Sequence, residues 1–390
     1  VLPRGRASSP AAGFVAVYLR LWQDDRTLFW LLLGAAAPKI VIGVSFAMSP
    51  ALQPYAEAVR APTILIGSLA SLLIALVPPA AAGHPGRPPN PTDAMPKTEH
   101  YQWYTEQFAP TELHAHAIEE TYYSGRTPFQ SVAVFRTPVF GKLLVLDGDT
   151  QSSQADEKIY HESLVHPALG AVDDRTEVLI LGGGEGATLR EVLRDPSVRR
   201  CTMVDIDGEV VNLSKRYLPE WSAGAFDDPR ARVIIGDALT FLKEDRDRYG
   251  VIVSDLTEPL PDSPSFPLFN GEVFRDIKTR LAPSGVYVLQ ASTAGFHNMA
   301  LHAKMARSLR RFFRYVRSFY THVPAFDNDW AFIACSDEVD VAATDPAKID
   351  AYVDELRGEN WFYDAETHRR LFALPLYLRR ELAKDGDVFA

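Results

Sequence analysis

Apolar and polar positions follow three different rhythms along the chain. Two long apolar stretches come first, Leu28 to Met48 and Pro62 to Ala82. Each has the roughly twenty residues that one bilayer crossing needs. Pro38 and Lys39 interrupt the first; the second carries no charge. With a short loop between them, they predict a helical hairpin. The second rhythm, alternation, runs from His100 to Ser153 and predicts antiparallel strands over 117–123, 129–136 and 142–146. Ser124–Pro128 and Thr137–Gly141 supply turns, and 147–151 turns the chain again. Asp156 then opens a helix carrying Tyr160, His161, Glu162 and His166. The third rhythm consists of short apolar runs separated by helical stretches. It predicts strands at Val178–Leu181, Cys201–Asp205, Val233–Gly236, Val251–Asp255, Val286–Ala291, Val316–Val323 and Trp330–Ser336. Strands alternating with helices predict an α/β fold with a largely parallel sheet.

The domain division that follows is 1–96 for an N-terminal extension ending in a Pro/Gly linker from Gly83 to Pro96, then 97–170 for a small β-rich domain. Residues 171–340 form the Rossmann-like domain and 341–390 a C-terminal helical cap. In the cap, Pro346–Arg357 and Leu371–Leu382 read as helices. Asp364, Glu366 and His368 hint at a metal cluster that no second cluster supports.

Composition changes this picture in two places. The chain has 390 residues and a formal charge of -10, which argues against nucleic acid as a partner and is compatible with a cationic small substrate. The first 95 residues, by contrast, hold seven Lys/Arg against four Asp/Glu. Basic residues flank the apolar hairpin on both outer sides, so the positive-inside bias puts both ends in the cytoplasm. The expectation is a cytoplasmic catalytic domain anchored to a membrane through residues 28–82; a cleaved targeting segment, to an organelle or elsewhere, is the other reading. Cys201 and Cys335 fall in predicted strands and read as buried thiols.

The stretch Leu179-Ile180-Leu181-Gly182-Gly183-Gly184-Glu185-Gly186-Ala187 organises the rest. A strand breaks into glycines, and a helix follows with Leu189, Val192 and Leu193 at helical spacing. A ligand should sit over such a turn. Asp205, at the tip of the next strand, is placed to take two ribose hydroxyls. The turn by itself leaves two readings open. Gly182-x-Gly184-x-x-Ala187 fits a dinucleotide fingerprint, but Glu185 would then face pyrophosphate charge. A sulfonium nucleoside, which has no phosphate, reverses that sign. Glu185 as a plain helix cap is the bland alternative.

Further motifs break the tie. Leu146-Asp147-Gly148-x-x-Gln151 and Asp156-Glu157-x-x-Tyr160-His161-Glu162-x-x-x-His166-Pro167 resemble the polyamine aminopropyltransferases, the spermidine and thermospermine synthase family. So do Gly182–Gly186, Val204-Asp205-Ile206-Asp207 and Gly236-Asp237-Ala238. The resemblance spans Lys142 to Asp337 in the family's order. It implies the seven-stranded, class I methyltransferase-like (Rossmann-like) sheet, and transfer of the aminopropyl group of decarboxylated S-adenosylmethionine to a polyamine, with no prosthetic group and no metal.

The resemblance also implies roles. Asp255, at the carboxyl end of the fourth strand, becomes the catalytic acid–base, with Tyr160 orienting. Without the family match, Asp255 reads equally well as a cap before Pro259. Gln151 and Asp205 would hold the ribose, Asp237 and Ala238 the adenine, and Gly182, Gly184 and Glu185 the donor, with Glu185 on its aminopropyl ammonium. His161, Glu258 and Gln290 would line the polyamine channel; His161 reads alternatively as a core histidine, and Trp330 as core or channel wall. Leu260–Phe269 corresponds to a lid. Glu258 stands where spermidine synthases carry Asp. Asp255-Leu256-Thr257-Glu258-Pro259 and His322-Val323-Pro324-Ala325-Phe326 look closer to the thermospermine synthase branch, so the expected acceptor is spermidine, with putrescine as the alternative. A methyltransferase and a non-catalytic polyamine sensor are the competing classes. Members are commonly homo-oligomers.

Overall fold

The computed structural model describes residues 101–109, 112–261 and 263–389. The apolar stretches 28–48 and 62–82, expected to form a membrane hairpin, lie outside the described residues. Among the described residues no helix is long and apolar enough to cross a membrane.

The first described part, residues 101–153, is all β. Strands β1 (Gln102–Ala109) and β2 (Glu112–Ile118) form an antiparallel pair. Strands β3 (Glu120–Arg126), β4 (Ser131–Thr137), β5 (Gly141–Leu146) and β6 (Asp149–Ser153) form an antiparallel four-stranded sheet in chain order. The strand expected over 117–123 is therefore two strands in different sheets. The chain changes sheet at Glu119, whose N–H donates to the Arg136 carbonyl, while Arg136 bridges Glu119 and Glu120. The expected turn at 147–151 is shorter than predicted. Asp147 and Gly148 take positive φ (49° and 91°), a two-residue hairpin turn of the Asp-Gly kind, and β6 follows at once. Strands β1 and β6 have no counterpart in the apolar pattern because, beside Tyr104, their inward positions are polar: Glu106, Thr150, Ser152 and Ser153 are buried.

The seven expected strands all form. They are β7 (Glu177–Gly182), β8 (Arg200–Asp205), β9 (Ala231–Ile235), β10 (Tyr249–Asp255), β11 (Leu281–Thr293), β12 (Tyr315–Val323) and β13 (Asn328–Ser336). Their order is β12-β13-β11-β10-β7-β8-β9. The five from β9 to β11 are parallel, and β13 runs antiparallel to both its neighbours. Successive residues of the central strands enter two different cores. Val178, Ile180, Val251 and Val253 join one, and Leu179, Leu181 and Ile252 the other. Burial on both faces is what a parallel sheet requires. Truncating Leu179, fully buried, would cost about 2–5 kcal/mol. Cys201 and Cys335 are buried free thiols in β8 and β13.

Helix α1 (Glu157–Ala171) carries Tyr160 and His161 and buries nearly all its residues. The C-terminal segment fixes it from outside. Glu162 accepts backbone N–H bonds from Trp361, Phe362 and Tyr363 at 2.8–2.9 Å, and His166 Nδ1 lies 2.8 Å from the Tyr352 hydroxyl. The helix expected over Leu371–Leu382 is two, Ala365–Leu371 and Leu376–Leu382, separated before Pro375, where proline cannot continue a helix. Asp364 caps the first through Thr367 N–H, and His368 is buried between the Tyr363 hydroxyl and the Val341 carbonyl. These two residues thus serve local packing.

Candidate active site

Strand order reverses at β7, whose neighbours are β8 and β10, and ligands of open α/β sheets bind at such a point. A cavity of about 890 Å³ lies there. Its floor is the glycine turn. Gly182, Gly183 and Gly186 take φ of 82°, 75° and 85°, conformations that L side chains rarely hold. Close approach adds to this: a Cβ on Gly182 would lie 2.2 Å from the Asp255 carbonyl oxygen, and one on Gly184 2.7 Å from Asp205 Oδ2. The turn so brings the ends of β7, β8 and β10 together, and helix α2 (Ala187–Leu193) leaves it.

Asp255 ends β10 and faces the cavity. Tyr160 Oη donates to its Oδ1 at 2.8 Å, and Thr188 Oγ1 to its Oδ2 at 2.5 Å. Burial and the Asp255 charge keep the Tyr160 phenol protonated well above its usual range. One oxygen is thus held from α1 and the other from α2, which leaves the carboxylate one orientation. Asp205 ends β8 on the floor and accepts from the Asp207 N–H at 2.8 Å. Burial, opposed by that bond, pushes its carboxyl up to about 6.

Glu185 lies on the wall, with Oε2 bonded to Ser152 Oγ at 2.7 Å and Oε1 2.5 Å from His161 Nε2. His161 itself is fully buried and off the wall, its Nδ1 against the Glu157 carboxylate at 2.9 Å. Burial alone would make the ring neutral, but Glu185 and Glu157 outweigh it and raise its pKa well above the usual value. His161 thus stands behind Glu185, off the cavity wall.

Gln151, Ala238 and Gln290 lie on the wall. Gln290 donates to the Leu256 carbonyl at 2.6 Å and accepts from Ser292 N–H. Asp237 is exposed at the margin and caps the helix Ala238–Glu244. Trp330 forms part of the wall, edge-on to Phe326. Leu260, Pro261, Pro264 and Leu268 of the expected lid close one side, anchored where Ser265 Oγ donates to the Thr257 carbonyl at 2.8 Å; Asp262 lies outside the described residues.

Three wall acids form a group beyond Asp255. Burial pushes Glu106 up to about 7 against hydrogen bonds from Thr150, with Asp149 and Glu258 adding to the rise. Glu258 is raised by burial, against a bond from Ser292, and by Asp149. Asp149 is raised by burial and by Asp147. Arg126 is the one Lys or Arg on the wall among the described residues. Glu258 is among the site residues that the sequence singles out; Glu106, Asp149 and Thr188 are not.

Comparison with known proteins identifies the family. Residues 157–345 match the spermine/spermidine synthase domain, and 102–154 the spermidine synthase tetramerisation domain. A polyamine aminopropyltransferase of Sulfolobus acidocaldarius is 44% identical over 289 residues, 74% of this chain and 95% of the relative. The chain belongs to the polyamine aminopropyltransferase family. A second relative of that name, from Synechococcus, is 38% identical over 76% of this chain and 97% of its own. Among solved structures, a spermidine synthase in complex with the transition-state analogue AdoDATO superposes with a TM-score of 0.68 at 27% identity, covering 75% of this chain and 99% of that one. Spermidine synthase from Thermotoga maritima gives 0.65 at 28%, covering 73% and 95%. The expected enzyme class, an aminopropyltransferase, is that of the family.

Proposed function

We propose that this enzyme moves the aminopropyl group of decarboxylated S-adenosylmethionine to spermidine, giving thermospermine and methylthioadenosine. A neutral acceptor amine attacks the methylene carbon beside the sulfonium sulfur. The carbon–nitrogen bond forms as the carbon–sulfur bond breaks, and the bonding pair leaves on sulfur as a neutral thioether. The surplus ammonium proton passes to Asp255. A carboxylate in reach of the amine suits this role because polyamine nitrogens are mostly protonated at neutral pH. Asp205 and Gln151 hold the ribose, Asp237 and Ala238 the adenine. Glu185 attracts the donor's terminal ammonium and disfavours the carboxylate of ordinary S-adenosylmethionine.

The observation that carries this reading is the orientation of Asp255 between Tyr160 and Thr188 at the edge of an acid-lined cavity. For the acceptor, the group of Glu106, Asp149 and Glu258 supports a triamine. Putrescine brings one ammonium beyond the attacking nitrogen; spermidine brings two, which better offsets three crowded carboxylates. The lid role of Leu260–Phe269 and a homo-oligomer built through residues 102–154 belong to the same proposal. The β1–β2 pair exposes Trp103 and Leu113, as a buried contact between copies would need. Chromatography of the products from putrescine and from spermidine tests the acceptor. Thermospermine from spermidine supports the reading. Spermidine formed from putrescine, with spermidine left unreacted, overturns the acceptor and keeps the chemistry.

A further inference from the structure

Charge organisation continues behind the cavity wall. Glu185 Oε1 meets His161 Nε2 at 2.5 Å, and His161 Nδ1 meets both the Glu157 backbone carbonyl at 2.7 Å and its carboxylate Oε2 at 2.9 Å. Glu157 in turn takes a two-pronged contact from Arg190, Nη1 on Oε1 at 3.0 Å and Nη2 on Oε2 at 2.8 Å. Signs alternate outward from Arg190: positive, negative, positive, negative. Neither Glu157 nor Arg190 lies on the cavity wall.

We infer that Glu157 and Arg190 are positioning residues: they fix the ring of His161 and, through it, hold Glu185 in the one orientation that faces the aminopropyl end of the donor. This rests on the functional reading above, since it assigns that end of the donor to Glu185.

Local structure explains why these residues can act together. Glu157 and His161 are four apart on α1 and so share a face. Glu157 also sits in the first helical turn, where a negative charge is favoured. The planar fork of Arg190 matches a carboxylate at two points and leaves it little rotational freedom. A buried charge is tolerated when it is paired, and each member of the chain supplies the next one's partner. On its other side Glu185 is held by Ser152, whose hydroxyl accepts from Trp221 Nε1 at 2.8 Å. A glutamate has three side-chain torsions. With both oxygens anchored, its reach into the cavity is set before the donor arrives, which lowers the cost of binding.

Arg190 also donates to the Trp221 carbonyl and to Glu191, so a purely structural role is the competing account. The two accounts separate in Glu157→Gln, a change that keeps size and removes one charge. In the full chain, confirmed folded by circular dichroism, we expect the KM for the donor to rise about tenfold to a hundredfold, the worth of a hydrogen bond to a charged group. The KM for the acceptor and kcat should change little. With histidines labelled in nitrogen-15, the His161 ring should show protons on both nitrogens in the parent and on one in E157Q. Arg190→Lys, which keeps the charge and loses the fork, should recover part of the donor affinity lost in Arg190→Ala. Unchanged donor KM with a doubly protonated His161 in E157Q overturns the inference. Equal losses for both substrates with a lower melting temperature also overturn it, as structural damage. A parent enzyme that releases no methylthioadenosine would sink the functional reading, and the ring-nitrogen signals would still decide whether Glu157 fixes His161.

Discussion

Thr188 donates its hydroxyl to Asp255 Oδ2 at 2.5 Å across a separation of 67 residues. Tyr160 takes the other oxygen at 2.8 Å. Two helices that start at opposite sides of the glycine turn therefore aim one carboxylate. Removing either donor should leave Asp255 present but free to rotate. Thr188→Val and Tyr160→Phe are each expected to lower kcat about tenfold, the value of one bond to a charged group. Because the two act on one side chain, their effects should not add. Rates from the double variant check this; simple multiplication of the single losses would count against a shared role.

Glu106 gives a pH prediction. Its carboxyl is pushed from 4.5 up to about 7 in the fold, mainly by burial. The folded state then binds this proton more tightly than the unfolded chain does. Its contribution to stability is full below about 4.5 and is lost as pH rises through about 7. A polyamine ammonium placed beside Glu106 favours the carboxylate and expels the proton. Spermidine binding at pH 6.5 should thus release protons, read by calorimetry in two buffers of different ionisation heat. Glu106→Gln should abolish that share. Identical release in the variant would place the acceptor elsewhere.

Two glycines separate strain from collision. At Gly182, φ is 82° and an added Cβ lies 2.2 Å from the Asp255 carbonyl oxygen; at Gly224, φ is 87° with nothing within 4 Å. Gly224→Ala should cost only the backbone term, about 1 kcal/mol, and Gly182→Ala clearly more than about 2 kcal/mol. Urea unfolding of the two variants tests this. Equal costs would mean that the turn relaxes away from β10.

Glu258→Asp tests the role of this acid in acceptor choice. It shortens the reach of one acid by a methylene. The ratio of kcat/KM for spermidine over putrescine is expected to fall by about tenfold, the lower end of what one methylene discriminates. An unchanged ratio would remove Glu258 from acceptor choice.

The seven-stranded sheet was legible in the sequence because each strand is apolar and bounded by turn or helix signals. The glycine turn and Asp205 stand out by their positions at strand ends, whereas Asp255 needs the family resemblance as well, since its position alone fits a cap before Pro259 equally. Strands β1 and β6 escape because, beside Tyr104, their buried positions are Glu106, Thr150, Ser152 and Ser153, which interrupt any apolar alternation. The acids Glu106 and Asp149 were lost with them. Thr188 carries no signal in the chain, since a helical threonine near a turn is common; only its hydrogen bond from the start of α2 to the end of β10 reveals its target. His161 was read from the family match as a channel residue, and the fold sets it one layer deeper. That layer depends on Glu157 and Glu185 reaching the two ring nitrogens of His161 from different elements.

Release of methylthioadenosine tests the central claim most directly. The full chain and Asp255→Asn would be given decarboxylated S-adenosylmethionine, with spermidine or putrescine in separate reactions. The account predicts methylthioadenosine and thermospermine in equal amounts from spermidine, with the rate about 10²- to 10⁴-fold lower in D255N. Folded protein that releases no methylthioadenosine with either amine, or a D255N variant as fast as the parent, would contradict it.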